Sequence, residues 1–277
     1  MKPNSLTFVK AYSGEDIDLL YKRITEDIVL DGKDITFGNA AEPKKAREIF
    51  AVIQLYGRAI TDVLAGRTPV NFRWAGDKIT DYQNSFLVPL DQIGVRHNDN
   101  TDFEYTYIEL MRRFRIMEGE IDQVDVSRRK LKESLETKIQ SNQNVGVIYH
   151  PMYCDSKNPP CFNWYQVRLM DGNDVSLRLL FRSNDYGDAV WANLCGIAKA
   201  FDELVIRPAG CRLTEIILTS TSAHIYANEA DLARQVSGFE WNREDNEKIS
   251  PILRLLGHDI RQEDKDKKVR SAAYPAD

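Results

Sequence analysis

The feature that most constrains the fold is a series of strand-like segments in the second half of the chain. β-Branched and aromatic residues dominate four stretches, at 145–150, 163–169, 175–181 and 213–226. The sequence Met-Asp-Gly-Asn-Asp at 170–174 separates the second from the third and is typical of a hairpin turn. The chain is therefore predicted to build an antiparallel or mixed β-sheet.

Helical patterns accompany these strands. Residues 43–65 open with proline, end before Gly66 and carry enough apolar side chains to predict one long helix. A turn and a short strand are expected over 30–40, whereas Pro, Gly, Asn and Asp make 67–100 irregular. Apolar spacing predicts the helices at 15–29, 43–65, 118–140 and about 188–205. Together these elements predict an α+β fold, with helices packed on the sheet.

Composition narrows the class of protein. The 277 residues carry a net charge of −5, which gives no reason to expect nucleic-acid binding. No apolar run is long enough for a membrane span, and the N-terminus has no signal-peptide core. The four cysteines form no CxxC pair, so we expect free thiols, no metal and a cytoplasmic location. One domain is predicted over 1–261, followed by a charged, mobile tail over 262–277.

Cys161 is the first candidate for chemistry. Two prolines restrict the backbone before it and a strand follows, so a turn could present the thiol into a cleft. A nucleophilic cysteine needs a nearby cation that favours the thiolate. Taken alone, however, most single cysteines are small buried apolar residues.

A second polar group follows the third predicted strand. Arg182 and Ser183 stand at its end, where they could grip a phosphate, and Arg182 could supply the positive field for Cys161. Asp185 follows and Asn193 lies on the next predicted helix. The alternative is an ordinary polar loop before a helix, with Asp185 or Asp188 as the N-cap.

His224 and Tyr226 form the third candidate pair. Residues two apart on a strand point to the same face, so both side chains could bind a sugar hydroxyl. They could equally be core residues that hydrogen-bond to each other or to the backbone, and the sequence alone leaves both readings open.

In order and spacing these motifs resemble thymidylate synthase and its relatives, the pyrimidine hydroxymethylases. Gln166 lies five residues after Cys161, Arg182 twenty-one after it, Asn193 eleven further on, and His224 thirty-one beyond that. The resemblance covers about residues 105–230. It implies a thymidylate synthase-like fold and a homodimer packed sheet against sheet.

The resemblance also implies roles. Cys161 would add to C6 of the pyrimidine, so that C5 can attack a one-carbon unit from 5,10-methylenetetrahydrofolate. Tyr107, in Tyr-Ile-Glu-Leu-Met-Arg, matches the tyrosine that helps to remove the C5 proton, and Arg112 matches the arginine after it. The remaining matches are Arg182 and Ser183 for the phosphate, Asn193 for the pyrimidine edge, His224 and Tyr226 for the sugar, Asp185 for the folate pterin, and Gln166 for a structural position near the dimer interface.

The identity of Asn193 bears on the substrate. A carboxamide accepts from N3–H and donates to O4 of uracil, whereas cytosine presents the opposite pattern. The leading hypothesis is therefore methylation of dUMP. The alternatives are 5-hydroxymethylation of dUMP, dCMP or CMP, in which water takes the place of hydride, and a non-catalytic relative that binds a nucleotide.

The chain departs from the family pattern at several positions. Ser127-Arg128-Arg129 repeats the family's phosphate-binding motif but lies too far before Cys161, and Ser141, Asn142 and Gln143 occupy the expected place. The family's glutamate on its long N-terminal helix has no match in 51–57, with Glu48 about one turn earlier and Gln54 slightly later. Phe162 replaces the histidine after the nucleophile.

Overall fold

The computed structural model describes residues 7–38, 43–93 and 105–226. In these ranges the strands are β1 (Val9–Gly14), β2 (Lys33–Phe37), β3 (Lys44–Tyr56), β4 (Phe114–Ile116), β5 (Gly119–Ile121), β6 (Val145–Val147), β7 (Phe162–Leu169), β8 (Asp174–Phe181), β9 (Asn184–Asp185) and β10 (Arg212–Tyr226). The α-helices are α1 (Ile17–Asp31), α2 (Arg58–Leu64), α3 (Asp77–Ser85), α4 (Tyr107–Arg112), α5 (Gln123–Thr137) and α6 (Val190–Phe201).

The main sheet is mixed, as predicted. Its strands follow the order β1-β3-β10-β8-β7-β6, with β2 paired to β3 and β9 paired to β10. The pairs β1–β3, β8–β10 and β9–β10 are parallel, and the others are antiparallel. The hairpin β4–β5 stands apart. The α+β prediction is confirmed.

Most predicted elements are present with slightly different bounds. The segment 15–29 forms α1, whose N-cap Asp16 accepts from two backbone N–H groups of the first turn. The four strand-like stretches become β6, β7, β8 and β10, and Asp171–Asn173 turn between β7 and β8. Within 118–140, β5 precedes α5. After α6 the helix widens into a π-helical turn over Asp202–Ile206.

The prediction of one long helix over 43–65 is wrong. The segment forms β3, turns at Gly57 and continues as the short helix α2. Buried and half-buried residues alternate along β3, which is strand periodicity, and both sets contain apolar residues. Because apolar side chains occur on both faces of this central strand, its sequence resembles that of a buried helix. Gly57 adopts φ 54°, a conformation that ends the strand and suits glycine.

Several further elements were not predicted, including α3, β1, α4 and the hairpin β4–β5. Helix α3 lies in the stretch 67–100 that was expected to be irregular, and β1 pairs in parallel with β3. The proposed tail at 262–277, and the domain boundary before it, lie outside the described residues. No helix in the described part of the chain is long and apolar enough to cross a membrane.

The two faces of the sheet differ. Core-facing residues such as Ile49, Leu177 and Ile216 are fully buried, and the helices that pack on the strands include α1, α2 and α5. On the opposite face, half-buried apolar side chains cross the sheet. We call this surface the outer face and define it by Phe50, Val52, Trp164, Leu180 and Ile217.

Candidate functional site

Three residues before β7 form a turn that Arg182 holds in place. We call Pro159–Cys161 the cysteine turn. The Arg182 guanidinium donates from Nε to the carbonyl of Pro160 (3.0 Å) and from Nη2 to the carbonyl of Pro159 (2.7 Å). The backbone N–H of Arg182 donates to the Cys161 carbonyl (2.9 Å). One side chain at the end of β8 therefore fixes both the backbone and the charge around the cysteine.

The Cys161 thiol is half-buried, and opposing influences act on it. Its Sγ lies 3.7 Å from Nη2 of Arg182 and packs against the apolar core. Burial raises the pKa of the thiol above its ordinary value; Arg182 acts in the opposite direction and Asp185 adds to the rise. Burial dominates, so the thiol is protonated at neutral pH in the absence of a ligand.

Tyr107 lies beside this thiol. It begins α4, and its ring makes edge contacts with Phe162 and Phe181, at centroid distances of 5.6 and 6.2 Å. Burial, followed by the neighbouring Cys161, raises the pKa of the phenol well above its ordinary value. The backbone of Phe162 acts in the opposite direction and lowers this pKa. Tyr107 and Cys161, which are far apart in sequence, thus lie next to each other in the fold.

Asn193 reaches the same region from α6. Its Oδ1 accepts a 2.9 Å hydrogen bond from the hydroxyl of Tyr82, on α3. Tyr82 is close enough to Tyr107 to influence the pKa of that phenol, which connects Asn193 to the cysteine region. Sequence reasoning missed Tyr82 because its segment was taken as irregular; the aromatic pair Tyr82 and Phe86, one turn apart, was the available signal.

His224 and Tyr226 lie side by side near the end of β10, as the spacing predicted. Their ring centroids are 4.8 Å apart, and Phe37 of β2 packs against both. His224 is only 2% exposed. Its Nδ1 lies 3.2 Å from the carbonyl oxygen of Ser222, whereas Nε2 is buried and has no hydrogen-bond partner among the described residues.

The protonation state of His224 follows from these contacts. Burial lowers the pKa of the imidazole to about 4, and Arg182 acts in the same direction against the hydrogen bond to Ser222. The ring is therefore neutral at pH 7. The Ser222 hydroxyl, 3.4 Å from Nδ1, donates its proton to Glu48, and the Ser222 carbonyl only accepts. Nδ1 therefore carries the proton and the unpartnered Nε2 is an acceptor.

Two carboxylates flank His224 across the sheet. In the strand register, Asp185 of β9 and Glu48 of β3 stand opposite it. Asp185 Oδ1 accepts from the backbone N–H groups of Gly187 (2.8 Å) and Asp188 (3.2 Å). Ser222 donates to Glu48. Glu48 thus lies on a strand beside the histidine, which replaces the expectation that it belonged to a helix.

The remaining predicted residues, Ser183, Gln166 and Arg112, make no hydrogen bond to Cys161 among the described residues. Ser183 is half-buried between β8 and β9 and forms no side-chain hydrogen bond within the described ranges. Gln166 is on the outer side of β7, where it donates to the carbonyl of Asn142 (2.7 Å), so it does not join Cys161. Arg112 is held by Asp122.

The helical Ser-Arg-Arg sequence is structural. Ser127 is buried in α5 and hydrogen-bonds to the hydroxyl of Tyr165 (3.0 Å). Arg128 and Arg129 both pair with Asp125 on the same helix. Their charges are therefore engaged away from Cys161, as the sequence spacing indicated.

Comparison with known proteins shows which family the chain resembles. Residues 71–262 match the family model described as thymidylate synthase. A protein of Methanosarcina mazei described as "Putative thymidylate synthase" is 30% identical over 206 residues, covering 74% of this chain and 84% of the relative. Proteins with the same description are 30% identical over 179 residues in Methanosarcina barkeri (64% and 74% covered) and 26% identical over 215 residues in Methanothermobacter thermautotrophicus (74% and 88% covered).

Proposed function

Because the chain belongs to the thymidylate synthase family, we propose that it transfers a one-carbon unit to C5 of a pyrimidine nucleotide after Cys161 adds to C6. The observation that carries the proposal is the cysteine turn, in which Arg182 holds Cys161 at 3.7 Å next to Tyr107. A nucleophile, a cation and a phenol next to one another suit addition to an electron-poor ring.

Addition of the thiolate forms the S–C6 bond and moves the electron pair of the C5–C6 double bond to C5 and the O4 carbonyl. The thiol must lose its proton first, and in this pocket burial opposes that loss. Arg182 stabilises the thiolate and, through Nη1, which has no acceptor among the described residues, can also bind a phosphate oxygen. Ser183 adds a hydroxyl donor beside it.

Elimination requires removal of the proton at C5 and release of Cys161. Tyr107 remains a neutral phenol because its pKa is raised, so it acts by passing a proton through its hydroxyl or an adjacent water. Asn193 holds the pyrimidine by its carboxamide, which favours a uracil ring and hence dUMP.

For the sugar we propose that His224 accepts and Tyr226 donates. With the proton of His224 on Nδ1, its buried Nε2 can accept from a sugar hydroxyl, which would supply the partner that this nitrogen lacks. The phenol of Tyr226, 4.8 Å away between ring centroids, stands on the same side of β10.

The one-carbon donor would be 5,10-methylenetetrahydrofolate, which supplies the carbon and, for a methyl product, the hydride. Its pterin ring presents an amino group and an N–H, both of which are donors, and a carboxylate is the matching acceptor. Asp185 fits this requirement, since it is half-buried and close enough to Cys161 to raise the pKa of its thiol.

The test is an assay of the purified protein with methylenetetrahydrofolate and dUMP, UMP, dCMP or CMP. We expect tritium release from C5 with dUMP, a methylated product by mass, and loss of release in Cys161→Ala. Cys154→Ser is the matched control, because Cys154 is exposed and lies seven residues away.

A product heavier by a hydroxyl oxygen would instead identify a 5-hydroxymethylase. No release with any of the four nucleotides from folded protein would contradict the proposal. Failure of a 5-fluoropyrimidine nucleotide to form a covalent adduct would then leave a non-catalytic binding protein.

A further inference from the structure

Tyr82 is held firmly where it meets Asn193. Its ring makes edge contacts with Trp74 and Phe86, at centroid distances of 5.6 and 5.2 Å. Helix α3 lies so close to α6 at Gly196 that a Cβ there would be 2.5 Å from the Phe86 ring and 3.1 Å from that of Tyr82. Gly196 is one turn after Asn193, so this close approach brings the phenol to the carboxamide.

We propose that Tyr82 is a specificity-determining residue that fixes the orientation of the Asn193 carboxamide and thereby favours uracil over cytosine. The inference rests on the proposed function, because it assumes that Asn193 reads the pyrimidine edge.

The chemistry depends on which end of the carboxamide faces which atom. Uracil presents an N3–H donor and an O4 acceptor, whereas cytosine presents an N3 acceptor and an amino donor at the same two places. Rotation of an amide by 180° exchanges its oxygen and nitrogen. An unrestrained asparagine could therefore satisfy either base by turning over.

The hydroxyl of Tyr82 makes the two orientations unequal. In the observed one it donates to Oδ1 at 2.9 Å, and Oδ1 keeps a second lone pair for N3–H while Nδ2 is available for O4. In the reversed one, Nδ2 would face the phenol, whose proton would lose its acceptor. Burial raises the pKa of Tyr82, so the hydroxyl remains a donor at all relevant pH values.

The decisive experiment is Tyr82→Phe, measured as equilibrium binding of dUMP and dCMP by calorimetry. The ring contacts with Trp74 and Phe86 are kept and only the hydroxyl is lost. We expect the ratio of dUMP to dCMP affinity to fall about fivefold, equivalent to about 1 kcal/mol. Tyr165→Phe is the matched control: it removes another buried hydroxyl, bonded to Ser127, and should leave the ratio unchanged.

If the Tyr82 hydroxyl only stabilised the fold, its loss would weaken the binding of dUMP and dCMP equally. A change in the affinity ratio therefore reports on the orientation of the Asn193 carboxamide. In an Asn193→Ala background, Tyr82→Phe should cause no further change in the ratio. A wild-type protein that binds dUMP no better than dCMP, or an unchanged ratio in Tyr82→Phe, would overturn this inference while leaving the proposed function intact. A folded wild-type protein that binds neither nucleotide would overturn both.

Discussion

At Cys161, burial and nearby charges set the reactivity of one thiol. Burial keeps it protonated, Arg182 favours the thiolate and Asp185 opposes it. The reactive form is therefore scarce at neutral pH and increases as the pH rises through and beyond the ordinary cysteine range. A ligand that neutralises the charge of Asp185 would lower the pKa of the Cys161 thiol. Ligand binding would then increase the fraction of reactive thiolate.

This balance predicts opposite effects of two charge-removing substitutions. Arg182→Gln keeps a donor for the proline carbonyls but removes the charge, so alkylation of Cys161 by iodoacetamide at pH 8 should slow about fivefold, as expected for about 1 kcal/mol at this separation. Asp185→Asn should accelerate it. Mass spectrometry of the Cys161 peptide measures both rates, with the exposed Cys154 as the internal control. Equal rates in the three proteins would show that these charges do not act on the thiol.

Motif spacing identifies candidate residues of the site but not their protonation states or hydrogen-bond partners. The resemblance to a family in motif order and spacing singled out Cys161, Arg182, Asn193, His224 and Tyr226 as candidates. It could not reveal that the proton of His224 lies on Nδ1, because that depends on the carbonyl of Ser222, which lies within an irregularity of β10. Nor could it reveal Tyr82, which hydrogen-bonds to a residue 111 positions away in sequence, Asn193.

At the scale of elements, the packing of α3 on α6 controls how the site is assembled. Gly196 permits an approach that leaves no room for a methyl group. Gly196→Ala would raise helix propensity but force α3 away from Phe86 and Tyr82, and overpacking of this kind costs about 1–3 kcal/mol.

We therefore expect Gly196→Ala to lower the free energy of unfolding by about 1 kcal/mol after the gain in helix propensity of about 1 kcal/mol is counted. Urea titration monitored by circular dichroism measures the change. Phe86→Leu in the same chain should recover part of the loss, because it removes the ring edge that the new methyl group meets. A more stable Gly196→Ala protein would contradict this account of the α3–α6 contact.

The prediction of secondary structure failed at β3, where the position of the strand in the sheet determines which side chains are apolar. In β3, residues on both faces are apolar because the strand lies between β1 and β10 and carries the outer face on its other side. A continuous apolar run does not distinguish a central strand from a buried helix, so the helix over 43–65 was a reasonable but wrong prediction. The edge strand β1 has only six residues, whose exposed and half-buried side chains alternate.

At the scale of the whole molecule, the outer face combines half-buried apolar side chains with polar ones, among them Gln54, Gln166 and Arg178. Its half-buried aromatic and aliphatic side chains suit the sheet-packed homodimer that we propose for this chain. Burial of such a surface against a second copy would release water from both, which drives association.

We predict that the protein has twice the chain mass by light scattering, and that Leu180→Arg with Ile217→Lys converts it to a monomer. A charge opposite a like charge in a dry interface is strongly unfavourable. Met117→Lys, on the β4–β5 hairpin where the side chain is 97% exposed, is the control and should leave the mass unchanged. A wild-type monomer would exclude this mode of assembly.

By itself, the sequence determined the mixed sheet with its flanking helices, the family and the candidate residues of the site, because periodicity and motif spacing can be read along the chain. The tertiary structure decided what depends on distant neighbours. It showed that 44–56 is a central strand, that Glu48 stands opposite His224, and that Arg182 donates from Nε and Nη2 to the cysteine turn. The burial of a side chain and the charges around it depend on neighbours that are distant in sequence. Its pKa and the direction of its hydrogen bonds are therefore set only in the folded chain.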